Sequence, residues 1–124
     1  MTSKKLLVIA CASMALTIVL GAFGAHALKA SLPANLLNAY QTGVTYQAYH
    51  SLALLVLGVL AERHSGKWFN ISSALMLVGM CLFSGSLYAL ALSGVTQLGM
   101  VTPIGGVLLI AAWSGLGVHF WKRA

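Results

Sequence analysis

Long apolar stretches alternate with short polar connectors along the whole chain. Four of them, Leu6 to Leu28, Val44 to Ala61, Trp68 to Leu92 and Val101 to Trp121, contain no Lys, Arg, Asp or Glu. Each is on the order of 20 residues, enough at about 1.5 Å of rise per residue to cross a hydrocarbon core about 30 Å thick. The first connector holds the breakers Pro33, Asn35 and Asn38, and the second is the run Glu62, Arg63, His64, Ser65, Gly66 and Lys67. The pattern predicts an all-α integral membrane four-helix bundle, one transmembrane domain over residues 1–124. Within the connector from Lys29 to Thr42, Leu32, Leu36, Leu37 and Tyr40 follow helical spacing around Pro33. A short amphipathic helix lying on the membrane surface is expected there.

Composition removes the soluble alternative. The chain is 60% hydrophobic and 6% charged, with a mean hydropathy of +0.93, far from the balance of soluble domains. Lys4 and Lys5 followed by an apolar run and Ala25-His26-Ala27 look like a secretory signal. The run exceeds the usual signal core of about 7 to 15 residues, so a retained first helix is expected.

Charge then orients the bundle. Lys4 and Lys5 precede the first stretch, Arg63 and Lys67 lie between the second and third, and Lys122 and Arg123 follow the fourth. Only Lys29 falls in the first connector, and Ser93 to Met100 carries no charge. Because Lys and Arg in short loops stay on the cytoplasmic side, both termini are expected in the cytoplasm, with Trp68 and Trp121 at the inner boundary. The net charge of +6 is split among three separate turns, which suits anionic lipid and disfavours nucleic acid.

The polar residues inside the apolar stretches lie at similar depth. His26 is near the outer end of the first stretch; Tyr46, Gln47 and His50 open the second; Ser84, Ser86 and Tyr88 close the third; Thr102 and Pro103 open the fourth. Tyr46 with His50, Gln47 with His50, and Ser84 with Tyr88 are three or four apart, so each helix offers one polar stripe. An unpaired polar group in lipid costs several kcal/mol, so these stripes are expected to face inward as one outer-leaflet layer. Gly21, Gly24, Gly85, Gly105 and Gly106 at the same level would let helices approach closely. Thr102 before Pro103 suits a helix N-cap and first position.

The segments Gly21-Ala22-Phe23-Gly24-Ala25-His26, Tyr46-Gln47-Ala48-Tyr49-His50, Phe83-Ser84-Gly85-Ser86-Leu87-Tyr88 and Thr102-Pro103-Ile104-Gly105-Gly106 resemble the signature blocks of a family of small bacterial inner-membrane proteins. It is catalogued as domain of unknown function 423 and is similar to a eukaryotic protein called transmembrane protein 256. All four blocks occur in order across nearly the whole chain. The resemblance implies a multi-pass four-helix protein of the cytoplasmic membrane and brings neither an activity nor catalytic residues.

The inventory of reactive groups is small. Glu62 is the one side-chain carboxylate, which excludes paired-acid chemistry and a Ser-His-acid triad. Ion-coupled transport is disfavoured because no acid lies within a span. Cys11 and Cys81 are expected to be small packing residues. His64 is expected to be solvated in its loop and His119 to meet headgroups. His26 and His50 lie on adjacent stretches and can in principle bridge a haem or metal, but only Tyr, Gln and Ser stand near them, so no cofactor is predicted. Two readings remain. The chain is a structural or interaction component packing against itself as a homo-oligomer or against a larger membrane complex. Alternatively, the polar layer holds a quinone, lipid or other amphiphile. No obviously reactive group stands in the layer, so the balance leans against an enzyme.

Overall fold

The computed structural model describes residues 2–123. Four helices long and apolar enough to span a membrane succeed one another: α1 (Ser3–Ser31), α2 (Ala34–Leu60), α3 (Lys67–Ser93) and α4 (Thr102–Arg123). A short 3₁₀ turn, Thr96–Met100, leads into α4. The helices run up and down. Both chain ends and the α2–α3 turn therefore lie at one end of the bundle, called here the terminal end. The α1–α2 and α3–α4 connectors lie at the other, the hairpin end.

Local chemistry sets the boundaries. The Thr2 hydroxyl accepts the Lys5 N–H at 3.2 Å and caps α1. Leu32 is held extended, as a residue before proline prefers, so α1 stops at Ser31 and α2 begins immediately after Pro33. Gly94, with φ +74°, closes α3 by donating to Leu90 O at 2.8 Å, a left-handed position that suits glycine.

One expectation fails at the first connector, because no separate surface helix forms there. Lys29–Ser31 finish α1, and residues from Ala34 onward belong to α2, which continues unbroken to Leu60. Nothing after Pro33 interrupts the helix; the apolar stripe of Leu32, Leu36, Leu37 and Tyr40 packs with Leu20, Leu28, Tyr88 and Ala91. The spacing is that of a transmembrane helix start.

Near its end α1 widens into a π turn over Gly24–Leu28, where the Lys29 N–H reaches back to Gly24 O. The Tyr40 hydroxyl donates to the Leu20 carbonyl at 2.5 Å, just before this turn, and its ring covers Gly24 so closely that a Cβ there would strike it. A side chain competing for a ladder carbonyl is a recognised cause of such a distortion.

Packing follows chain order, α1 on α2, α2 on α3 and, most extensively, α3 on α4. The larger core cluster centres on Leu6, Leu54, Phe69, Met76 and Ala112, all nearly inaccessible. Glycines set the closest approaches. A Cβ at Gly105 would overlap the Phe83 backbone, and one at Gly115 would overlap the Ser72 hydroxyl. A Cβ at Gly79 would lie 3.0 Å from the Leu109 side chain and 3.1 Å from Gly105 O. On the α1–α2 side Gly58 plays the same part against Leu7, and its carbonyl accepts the Ser3 hydroxyl at 2.6 Å. Of the glycines singled out in the sequence, Gly24 and Gly105 make such contacts, and Gly21 and Gly106 meet their neighbours at ordinary van der Waals distance. Gly85 meets nothing within 4 Å. It faces outward.

Gly105→Ala should therefore force α3 and α4 apart, at a cost of about 1–3 kcal/mol typical of overpacking, and lower the melting temperature in detergent. Gly85→Ala should leave it unchanged. Thermal melts of both variants, followed by circular dichroism, check the contrast.

Candidate functional site

Polar side chains inside the bundle fall into two groups on different sides of α2. Gln47 and His50 are three residues apart, which turns them about 60° from each other around the helix axis. That angle is enough to send Gln47 toward α1 and α3 and His50 toward α4. The expected single layer is thus divided.

The first group ties three helices together. Tyr88 Oη donates to Gln47 Oε1 at 2.5 Å, and Gln47 Nε2 donates to Ser13 O and Ser13 Oγ, each at 3.2 Å. Because the Ser13 carbonyl can only accept and the tyrosine hydroxyl here donates, the orientation of the Gln47 amide is settled. The Ser13 and Ser51 hydroxyls lie 2.6 Å apart, with Met80 Sδ 3.7 and 3.9 Å from them, and Thr17 Oγ1 donates to Ser13 O at 2.7 Å. Gln47 is 6% exposed. Around it an open furrow of about 480 Å³ runs between α1 and α3, lined among others by Ile9, Leu16, Met80 and Tyr88.

Flanking links repeat the theme. Ser84 Oγ donates to Gly43 O at 2.7 Å, joining α3 to α2. Ser86 Oγ donates to Phe83 O at 2.9 Å, which leaves Thr102 Oγ1, 2.5 Å away, to donate to Ser86 Oγ and join α4 to α3. Thr102 was expected to cap α4. Its hydroxyl turns sideways instead, and the first turn of α4 is closed by Gly105 N–H to Val101 O at 3.2 Å.

The second group centres on His50. Trp113 Nε1 lies 3.1 Å from His50 Nε2, and His50 Nδ1 lies 2.7 Å from Tyr46 O. Indole can only donate and a carbonyl can only accept, so the imidazole is neutral, with its proton on Nδ1. Both nitrogens are engaged. The Tyr46 ring stacks near the imidazole at 6.2 Å and tilts against Phe83 at 4.7 Å. Outside them an open furrow of about 680 Å³ lies between α2 and α4, lined by Tyr46, Tyr49, His50, Phe83, Ile110 and Trp113. A second hollow of about 370 Å³, sharing Trp113, continues it toward Phe120 and the terminal end.

Several expected placements change. His26 is exposed on the π turn of α1 and does not join His50. Among the described residues, no three His, Cys, Asp or Glu side chains gather where a metal ion could be held. Cys11 and Cys81 are exposed on the outer surface, not packed within the bundle. At the terminal end, His64 and His119 bond to each other, Nδ1 to Nε2 at 3.0 Å, between Phe69 and Phe120. The α3–α4 hairpin brings the last turns of α4 against the turn before α3, so neither histidine is left to solvent or headgroups alone.

Sequence reasoning missed Ser13, Thr17, Ser51 and Trp113, and it assigned Tyr40 to a surface helix. Two signals were present. Ser13 and Thr17, like Gln47 and Ser51, are four apart on one helix face, and an indole N–H placed in mid-span needs an acceptor.

Four apolar helices knitted by internal hydrogen bonds define a multi-pass integral membrane protein. The family model described as protein of unknown function (DUF423) matches residues 20–106, and the chain belongs to that family. The chain is 46% identical to the UPF0382 inner membrane protein YgdD of Escherichia coli K12, over 92% of this chain and 87% of that one. It is 41% identical to the UPF0382 membrane protein YwdK of Bacillus subtilis, over 89% and 90% of the two chains. With the UPF0382 membrane protein SAB0533 of Staphylococcus aureus the identity is 38%, over 98% of both. No solved structure matches the chain. Relatives and fold together place it in the bacterial cytoplasmic (inner) membrane.

Removing either partner of the Gln47–Tyr88 bond should cost on the order of 1 kcal/mol, as for other interhelical hydrogen bonds in membranes. Gln47→Leu and Tyr88→Phe should each lower thermal stability in detergent. The double variant should lose less than the sum, since both remove one interaction.

Proposed function

We propose that this protein is a structural component of the membrane, a small helical bundle that acts by packing against copies of itself or against a larger membrane complex. The supporting observation is how completely its interior polarity is used up. Among the described residues, Ser72 Oγ is the one buried side-chain N or O atom without a hydrogen-bond partner, and it is pressed against Gly115. Gln47, Ser13, Ser51, Ser84, Ser86 and Thr102 all serve to hold one helix against another. Both His50 nitrogens are occupied, so this imidazole holds helices together and is not a free base. Such an interior fixes helix register, which leaves the outer faces to make contacts.

A second reading is favoured by the furrow between α2 and α4. Tyr46 and Tyr49 are 39% and 60% exposed along it, above an aromatic wall. An amphiphile such as a quinone or lipid could lay a polar end against the tyrosine hydroxyls and its tail toward Phe120.

Native mass spectrometry of protein released gently from its own membrane separates the two. The structural reading expects an oligomer or a protein complex with no stoichiometric small molecule that depends on the α2–α4 furrow, and a His50→Leu variant that melts earlier with unchanged bound mass. A one-to-one adduct lost on His50→Leu or Trp113→Ala would replace it with the ligand reading. The proposal also puts the terminal end in the cytoplasm. A green fluorescent protein fused after Ala124 should fluoresce, and alkaline phosphatase fused after Gly94 should be active; the reverse pattern would invert the bundle.

A further inference from the structure

Independently of that role, the terminal end carries a charge arrangement that the helix interior does not explain. Lys67 opens α3 and Lys122 lies in the last turn of α4, far apart in sequence. The α3–α4 crossing brings both to one indole: Lys67 Nζ is 5.8 Å and Lys122 Nζ 5.9 Å from the centre of the Trp68 ring. Each ammonium is within cation–π range of that ring. The two like charges are thus held no further apart than about 12 Å, beside a ring that is 40% exposed at the membrane boundary.

Against seven Lys and Arg the sequence has one acidic residue, Glu62, exposed in the α2–α3 turn. The arrangement is also braced. The His64–His119 bond ties that turn to α4, and Phe69 and Phe120 pack around it, so the segments bearing the two lysines are fixed relative to each other. Two cations within about 12 Å of each other on either side of one tryptophan, carried on braced segments at the end of apolar spans, match a phosphate carried by a lipid.

We propose that Lys67, Trp68 and Lys122 form a binding site for the phosphate of an anionic phospholipid, in the leaflet at the terminal end of the bundle. The lysines supply charge and hydrogen-bond donors to the phosphate oxygens. The Trp68 ring holds both ammonium groups in place and covers the glycerol region. Selectivity follows from charge: phosphatidylglycerol, with an uncompensated phosphate, is bound in preference to zwitterionic phosphatidylcholine.

The test uses the full chain in a neutral detergent, where no membrane surface potential contributes, titrated with phosphatidylglycerol or phosphatidylcholine of identical acyl chains and read by native mass spectrometry. Wild type should retain one phosphatidylglycerol and little phosphatidylcholine. A lysine near an anionic headgroup contributes about fivefold in affinity, so Lys67→Gln/Lys122→Gln should bind about 30-fold more weakly. The double variant Lys4→Gln/Lys5→Gln, which removes the same charge at the same end, should bind as wild type does. Trp68→Leu should weaken retention with both lysines present. Equal losses in the two double lysine variants would mean diffuse attraction and overturn the site, as would equal retention of the two lipids. Displacement of the lipid by millimolar inorganic phosphate would make the site one for a soluble anion, and would overturn the assignment to lipid. Thermal melts of Lys67→Gln/Lys122→Gln matching the wild type keep the comparison free of misfolding.

Discussion

An amide side chain in hydrocarbon has no water to fall back on, and the arrangement of three helices in this protein follows from satisfying one. Gln47 needs acceptors for its nitrogen and a donor for its oxygen, and it finds them on α1 at Ser13 and on α3 at Tyr88. Each partner removed would leave a polar group stranded in a low-dielectric medium, so the position of Gln47 dictates the height at which α1 and α3 meet α2. Burial of apolar surface cannot supply that specificity here, since lipid tails are as apolar as leucine. Polar pairs and close backbone contact divide the work between them.

The division has a geography. Hydrogen bonds fix α1, α2 and α3 relative to one another along much of their length, from Ser3 on Gly58 at the terminal end through Ser13, Gln47 and Ser51 in mid-span to Ser84 on Gly43 nearer the hairpin end. The α3–α4 pair relies chiefly on small residues, with Gly79, Gly105 and Gly115 letting the two backbones approach, and on the single Ser86–Thr102 link. His50 and Trp113 add a bond where α2 and α4 otherwise stay apart and leave the furrow open. A histidine whose two nitrogens answer a carbonyl and an indole behaves as a neutral spacer.

The four spans were legible because lysine, arginine and acids are absent from stretches of membrane length, a signal that packing cannot override. Inward placement of Gln47, His50, Ser84 and Ser86 was legible too, from the cost of stranding them in lipid. Other features were hidden for definite reasons. Ser13, Thr17 and Ser51 look neutral in an apolar run, and only their partners reveal their part. The start of α2 looked like a surface helix because Asn35, Asn38 and Gln41 dilute its hydropathy, although no breaker separates them from the remainder of that helix. His26 is not level with the polar groups: Gln47 bonds Ser13, and His26 lies 13 residues further along α1, roughly 20 Å at about 1.5 Å per residue. The sequence put them at one height because the second span was read from Val44, whereas α2 begins at Ala34.

The π turn of α1 changes the phase of that helix. A π turn accommodates one more residue than a regular α turn, so everything beyond Gly24–Leu28 is rotated by about 100° from where an unbroken helix would place it. Within the turn itself Leu28 joins the cluster around Tyr40 and Ala91, and His26 stands outside it. The extra residue of the π turn is thus absorbed within the helix, beside the Tyr40 hydroxyl on Leu20 O. Trimming that bulge by a single amino acid would turn the last residues of α1 by about 100° and present a different face of them to the bundle, while leaving the hydropathy profile of the chain almost untouched.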